Sequence, residues 1–382
     1  MALSGIEIYK YLPKTNCKKC NFPTCLAFAM KVAARTVDIS VCPDISAQSK
    51  AALESAGRPP IRLVKFGPET HKVEVGNETV MFRHEKTFFH APALLVRIKD
   101  TMSRAEVEKL VGEVNDYQVE RVGMKLTMDG FAVQNTSKNA EKFAECVGTV
   151  VAKSSLAIML MSEDPAALDA AAAKAAASKP LLHAATAANL AAMVEIAKKH
   201  SCPLVVRETG GLAQLSDLVE KAVGAGIQDI VLDPGVNDFK TSVDVLTNIR
   251  RQALKKNVRA LGYPVVTFPG ETSADVNDEA MLAAQHIAKY GGVIVLDHFS
   301  PGLVYPLLTM RLNIYTDPQK PIQMAAGIYE IGAPKKESPL CVTTNFSLTY
   351  FSVAGEIEAS GFPTWLLICD TEGLSVLTAW AA

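Results

Sequence analysis

The sequence has no surplus of charge. Its 39 Lys and Arg residues stand against 40 Asp and Glu, and without a basic excess it does not read as a general nucleic-acid binder, whose affinity rests on neutralising phosphates. It also lacks any apolar run approaching the roughly 20 residues that cross a bilayer; Leu156 to Met161 and Val293 to Leu296 are of buried-strand length. Met1-Ala-Leu-Ser-Gly-Ile-Glu carries neither the basic stretch nor the apolar core of an export signal, so a cytoplasmic protein with no membrane partner is expected. In that reducing compartment the eight cysteines read as metal ligands or buried thiols rather than disulfides. A composition 49% apolar and 21% charged is that of a chain burying a large core, not of a disordered one.

Half of the cysteines fall early: Cys17, Cys20, Cys25 and Cys42, spaced C-x2-C-x4-C-x16-C. Three thiolates on one tight loop and a fourth returning from beyond a helix can surround a cubic [4Fe–4S] cluster. Thr24 is placed to cap a helix starting at Cys25, which would aim that helix's positive end at an anionic cluster. Pro43, after the fourth Cys, also fits ferredoxin-type ligation. Structural zinc is the alternative, although zinc domains more often repeat a C-x2-C pair. Lys14, Lys18 and Lys19 flank the loop, either as an electrostatic influence on the cluster and an acidic partner or as a solvated face. Cys146, Cys202, Cys341 and Cys369 are isolated in apolar sequence and are expected to be buried structural thiols.

The chain divides by texture into a cluster domain (1–60), a linker and hairpin (61–92), a barrel (93–325) and the start of an α/β domain (326–382). Val73 to Phe82 alternates around Gly76-Asn77, which predicts a hairpin packed as a bracket onto the barrel. Eight apolar runs then appear, at 94–98, 123–128, 156–161, 180–183, 204–208, 229–232, 264–268 and 293–297. Helix-period segments alternate with them, among them 103–115, 165–177, 186–199, 212–226, 242–256 and 274–289. Eight βα units over this length predict a (β/α)8 TIM barrel, which typically takes about 250 residues; the rival open sheet would carry G-x-G-x-x-G after its first strand, and none follows Ile98. Beyond Pro334 the pattern predicts a strand at Cys341, a helix from Leu348 to Ser360 ended by Gly361, a strand from Thr364 to Cys369, and a helix begun at Leu374 that is unfinished at Ala382.

Polar residues at the C-terminal ends of the barrel strands, Arg207, Glu208, Asp233, Asn237, Asp297 and His298, lie where barrel enzymes place catalysis. They form no diagnostic constellation in sequence, and adjacent Asp297 and His298 point opposite ways. His183 and His298 lie at predicted strand ends, where they either face the barrel mouth or, as the favoured reading, are hydrogen-bonded structural histidines. In the last piece, Thr343-Thr344-Asn345-Phe346 and Asp370-Thr371-Glu372-Gly373-Leu374-Ser375 each follow a strand and precede a helix. They present hydroxyls and amides at the sheet edge where α/β folds bind ligands, or serve as ordinary N-caps.

The segment Tyr11-Leu-Pro-Lys-Thr-Asn-Cys-Lys-Lys-Cys-Asn-Phe-Pro-Thr-Cys, the eight-unit barrel and the tail Gly361-Phe-Pro-Thr-Trp-Leu-Leu-Ile-Cys-Asp-Thr-Glu-Gly-Leu-Ser together resemble the large subunits of corrinoid iron-sulfur proteins. They are similar also to the archaeal gamma subunits of acetyl-CoA decarbonylase/synthase complexes. The resemblance covers the whole chain. It implies a methyl carrier of the reductive acetyl-CoA (Wood-Ljungdahl) pathway, bearing a cobalamin-type corrinoid and a [4Fe–4S] cluster that returns Co(II) to Co(I). Implied partners are a smaller barrel subunit in a heterodimer, a methyl-pterin methyltransferase, and acetyl-CoA synthase/CO dehydrogenase, with the barrel serving as a subunit platform. The corrinoid would dock on Thr343, Thr344, Asn345 and Phe346 from one turn and Thr371, Glu372, Gly373, Leu374, Ser375 and Thr378 from the other. It would bind base-off, since no D-x-H-x-x-G ligand motif is present. Family members continue beyond Ala382, so the corrinoid domain is expected to be incomplete here. The competing readings are an autonomous methyl-pterin:corrinoid methyltransferase or Fe–S barrel oxidoreductase using Asp233, Asn237 and Asp297, and a scaffold with a purely structural cluster.

Overall fold

Strands buried on both faces need apolar side chains at every position, and the runs from residue 93 onward supply them. In the structure, a computed structural model describing residues 5–33, 37, 39–46, 49, 59–85, 88, 90–121, 123–316 and 322–370, they form a parallel eight-stranded sheet. Its strands are β1 (Ala93–Lys99), β2 (Gly130–Gln134), β3 (Ala157–Met161), β4 (Leu181–Ala185), β5 (Leu204–Arg207), β6 (Ile230–Asp233), β7 (Val266–Thr267) and β8 (Val293–Leu296). Hydrogen bonding runs in order from β1 to β6, with β8 on the other side of β1 and β7 beside β8. A parallel bridge between Leu232 and Val265 closes β6 onto β7. The intervening helices are α1 (Arg104–Asp116), α2 (Ala140–Lys153), α3 (Pro165–Lys174), α4 (Leu190–His200), α5 (Leu212–Gly224), α6 (Phe239–Lys255), α7 (Val276–Ala288) and α8 (Pro301–Tyr315). This is the expected (β/α)8 barrel.

Alternate residues of each strand enter two nested cores. Leu95, Ala132, Met159, Val205, Val231 and Val295 fill the barrel interior, while Leu94, Val96, Phe131, Leu160 and Leu232 pack outward under the helices. Helix starts are set locally. Ser103 and Glu106 form a reciprocal capping box on α1, and Asn139, Asp164, Asp238 and Asp275 each accept an amide at the start of α2, α3, α6 and α7, each such cap stabilising by about 1 kcal/mol.

Two expectations are corrected. Residues 123–128 are not a barrel strand: Met124–Thr127 pairs antiparallel with Gln118–Arg121 in an outlying hairpin, as its largely exposed Met-Lys-Leu-Thr pattern suits. The second barrel strand is the continuously buried Gly130-Phe-Ala-Val, where a Cβ on Gly130 would lie 2.0 Å from the Ala157 carbonyl oxygen, so only glycine permits that approach. Likewise Gly76-Asn77 is not a hairpin turn. Val73–Val75 pairs with Val64–Phe66 instead, around a turn through Gly67 and Pro68, and Asn77 N–H extends the ladder to the Ile61 carbonyl. Val64, Phe66 and Val75 join the interior core and stopper the N-terminal end of the barrel.

After α8 the described chain resumes in a three-stranded sheet of β9 (Gly327–Ile331), β10 (Leu340–Thr344) and β11 (Thr364–Cys369). β11 is central, parallel to β10 and antiparallel to β9, the last an element the sequence pattern did not announce. Helix α9 (Ser347–Ser360) covers one face through Ala354 against Ile331 and Leu366, and ends at Gly361 with φ +70°, a left-handed cap that suits glycine. Among the described residues no helix is long and apolar enough to cross a membrane. Cys146 and Cys202 are buried as expected, and burial pushes both thiols up to about 11. Cys341 is only half-buried and Cys369 is exposed, because a single helix shields only part of this small sheet.

Candidate cluster, cofactor and barrel-mouth sites

The thiol loop is wound tightly by four residues with positive φ, Lys14, Asn16, Lys18 and Asn21. Two of these are Asn, which tolerates the left-handed region better than most residues. The loop leads into the helix Cys25–Ala33, whose first amides are held by side chains. Asn16 Oδ1 accepts from Cys25 N at 2.8 Å and Thr24 Oγ1 accepts from Ala27 N at 3.0 Å, the latter as its position before Cys25 predicts. Cys20, Cys25 and Cys42 are buried in a small core with Ile8, Leu12, Phe28 and Ala29, while Cys17 is exposed and its thiol donates to Asp44 Oδ2 at 3.5 Å. Burial raises the Cys42 thiol above its ordinary range, and the neighbouring Cys20, Cys25 and Cys17 raise it further. The fourth thiol therefore lies within electrostatic range of the other three. Among the described residues no group of three His, Cys, Asp or Glu side chains lies close enough together to hold a single metal ion. Lys19 pairs with Asp44 at 2.9 Å, and Lys14 lies over the Tyr9 ring.

In the last sheet the register places Thr344 beside Cys369, so the chain leaves β10 and β11 at the same edge. Asn345 is buried and donates from Nδ2 to Asp370 Oδ1 at 3.2 Å, tying the two exits together. Phe346 occupies the N-cap of α9, and no side chain caps it; the ordinary-cap explanation therefore does not apply to this turn. Thr343 is half-buried. Thr344 Oγ1 and Ser347 Oγ are buried with no hydrogen-bond partner among the described residues. Ser347, one position past the expected quartet, was not singled out because it reads as the first helical residue. Thr371, Glu372, Gly373, Leu374, Ser375 and Thr378 lie outside the described residues.

Barrel closure assembles what local spacing could not show. His183 Nε2 lies 2.9 Å from Asp233 Oδ2, both side chains buried, and Arg207 reaches the same oxygen at 3.5 Å. Arg97, from the middle of β1, pairs with Glu271 at 2.8 Å and Asp297 at 3.1 Å and stacks over Phe268. Asn237 Nδ2 donates to Glu271 Oε2 at 3.1 Å. The strand ends thus do form a constellation, correcting the sequence reading. Arg97, Phe268 and Glu271 were missed, although an arginine inside an otherwise apolar strand is itself a signal. Glu208 instead accepts from Gly210 N. Asp297 and His298 do face apart: Asp297 meets Arg97, whereas His298 Nδ1 lies 2.6 Å from the fully buried Glu279. Buried ion pairs are weak sources of stability.

A thiol-quartet lobe, a closed (β/α)8 barrel and a small α/β sheet with an open ligand edge define an iron–sulfur barrel protein. An Fe-S cluster family model matches residues 12–43, and the model for the CO dehydrogenase/acetyl-CoA synthase delta subunit matches residues 63–382. The chain is 43% identical over 381 residues to the corrinoid/iron-sulfur protein large subunit of Moorella thermoacetica, covering 100% of this chain and 85% of that protein. It is 34% identical to the acetyl-CoA decarbonylase/synthase complex subunit gamma of Methanothermobacter thermautotrophicus (98% and 84% covered) and 36% identical to that of Methanopyrus kandleri (98% and 83%). It belongs to this family of corrinoid/iron-sulfur large subunits and decarbonylase/synthase gamma subunits. Among solved structures, a Xanthomonas albilineans dihydropteroate synthase matches with TM-score 0.44 and 14% identity, covering 66% of this chain and 98% of that one, a likeness too distant to carry any inference.

Proposed function

We propose that the protein is a methyl carrier of the reductive acetyl-CoA pathway, with Cys17, Cys20, Cys25 and Cys42 holding a [4Fe–4S] cluster and the exits of β10 and β11 holding a cobalamin-type corrinoid. The observation that carries this reading is the presence on one chain of a lobe that buries Cys20, Cys25 and Cys42 in one small core beside Cys17 and of a parallel sheet edge where α9 starts with no side-chain cap and two buried hydroxyls have no partner among the described residues. When bound, the corrinoid supplies a cobalt that accepts and gives up a methyl group, and the cluster supplies single electrons that restore it.

The residues of the chain bind and position. Thiolate softness suits iron, and the positive end of the Cys25–Ala33 helix would favour the negative charge of a cluster held by Cys25 at its first residue. On the sheet, Thr344 and Ser347 hydroxyls and the α9 amides would bond the corrinoid's amide arms or phosphate, and Thr343 and Phe346 would flank them. Asn345, committed to Asp370, would act by fixing the separation of the two turns. Thr371, Glu372, Gly373, Leu374, Ser375 and Thr378 are proposed as the second turn. In this reading 1–60 is the cluster domain, 61–92 its connector, 93–325 the barrel that meets a smaller barrel subunit, and 326–382 belongs to the corrinoid domain. Methyl-pterin methyltransferase and acetyl-CoA synthase/CO dehydrogenase are the proposed donor and acceptor partners.

Anaerobic purification with iron, sulfide and cobalt assays tests it, followed by methyl transfer assays with and without the two partner enzymes. One cluster and one base-off corrinoid per chain, with transfer only when partners are present, is the expected result. Methyl-pterin turnover by the chain alone, or nitrogen hyperfine splitting in the Co(II) electron paramagnetic resonance spectrum, would overturn it.

A further inference from the structure

The segment that returns the fourth thiol also brings a charge. Two residues past Cys42, Asp44 touches three parts of the loop: its amide donates to the Cys42 sulfur, its Oδ2 accepts from the Cys17 thiol at 3.5 Å, and its Oδ1 pairs with Lys19 Nζ at 2.9 Å. Among the described residues from Leu12 to Ser46, Asp44 is the one carboxylate, against Lys14, Lys18, Lys19 and Lys31. Lys14 lies over the Tyr9 ring, Lys18 adjoins Cys17 in the loop, and Lys31 lies in the last turn of the Cys25–Ala33 helix. The negative charge therefore sits at Cys17, the exposed member of the quartet.

Resting on the reading of this quartet as cluster ligands, we propose that the Asp44 carboxylate lowers the reduction potential of the cluster and so helps set its strength as an electron donor. A cysteine that ligates iron has given up its proton, so Asp44, held by Lys19, is left beside a thiolate. Reduction adds an electron, and with it one more negative charge, to a group that four thiolates already make anionic. A neighbouring carboxylate disfavours that reduced state more than the oxidised one. Lys19 carries the opposite charge within electrostatic range of Cys17 and Cys42, so the two side chains are counterweights, and removing either moves the potential in the opposite direction from removing the other. Their side chains are 33% and 59% exposed, so each acts through a water-like dielectric and is screened by salt.

Redox titration of the full chain, purified anaerobically and followed by the electron paramagnetic resonance of the reduced cluster, tests it. Asp44→Asn keeps the amide donor and an acceptor for Lys19 but removes the charge. At a fixed applied potential its ratio of reduced to oxidised cluster should rise about fivefold, the effect of one charge about 4 Å away in water. Lys19→Met should lower the ratio by a similar factor, Asp44→Glu should stay near the wild type, and salt at about 1 M should shrink both shifts. Iron and sulfide content shows that each variant is loaded. An unchanged or lowered potential in Asp44→Asn overturns the inference; where that variant takes up no iron, an unchanged or raised potential in Lys19→Met overturns it instead. A wild-type chain without iron would sink the cluster reading and this inference with it, whereas a loaded chain whose potential ignores the charge at position 44 sinks this inference alone.

Discussion

The thiol lobe and the barrel hold themselves together by different means. In the lobe, three of the four expected ligands are themselves core residues, packed with Ile8, Leu12, Phe28 and Ala29; in the barrel, two complete apolar layers form without help from any cofactor. A segment of some forty residues buries too little surface to be stable alone, so the groups that bind are also the groups that fold. A barrel of this size has core to spare and can tolerate Arg97, His183 and Asp233 buried at one end.

The sharpest way to break this comparison is Cys25→Ala. It should reduce bound iron to background and unfold the lobe, while the main calorimetric transition of the barrel moves by no more than about 1 °C; a collapse of the whole chain would show that the two cores are one. The next effect is confined to the barrel. His286 on α7 is fully buried, with neither ring nitrogen hydrogen-bonded among the described residues, and burial lowers it to about 4 from an ordinary 6.5. Between those values the unfolded chain binds a proton that the folded one refuses, so stability falls as pH drops from 6.5 to 4, by about 3 kcal/mol in total. Denaturant titrations of His286→Leu across this window should show that part of the slope removed. The smallest effect belongs to the lobe: Thr24→Ala, which removes the acceptor of the Ala27 amide, should cost about 1 kcal/mol. Hydrogen exchange should show it as faster exchange at the start of the Cys25–Ala33 helix, with no change in barrel amides.

Legibility in the sequence followed the same division. The cysteine loop was readable because its chemistry is local: spacing brings Cys17, Cys20 and Cys25 onto one loop, and Thr24 caps the helix from the adjacent position. The barrel was readable as a count of units, but one unit was misplaced. Met124 to Met128 and Gly130 to Gln134 are both strand-like and nearly adjacent, and only pairing with Leu95 to Lys99 on one side and Ala157 to Met161 on the other distinguishes them. At the mouth the strand-end positions of Arg207, Asp233, Asn237 and Asp297 were readable, but their pairings were not. His183 and Asp233 are 50 positions apart, and Arg97 and Glu271 are 174 apart, so closure of the barrel, not spacing, makes them neighbours. Ser347 was hidden for another reason: a hydroxyl in the first turn of a helix is commonplace until its surroundings leave it without a partner.

The stopper at the N-terminal end of the barrel fixes where the lobe is moored. Arg62 N–H bonds the Gly262 carbonyl and its guanidinium pairs with Asp229 at 2.9 Å, both at the end of the barrel opposite the mouth. From Ser46 to Pro59 the chain has 13 residue steps, so covalent geometry keeps Ser46 within about 45 Å of Pro59. The lobe can therefore reach only as far as that span plus its own width, and shortening the segment between Ser46 and Pro59 residue by residue would measure how much of that reach electron delivery requires.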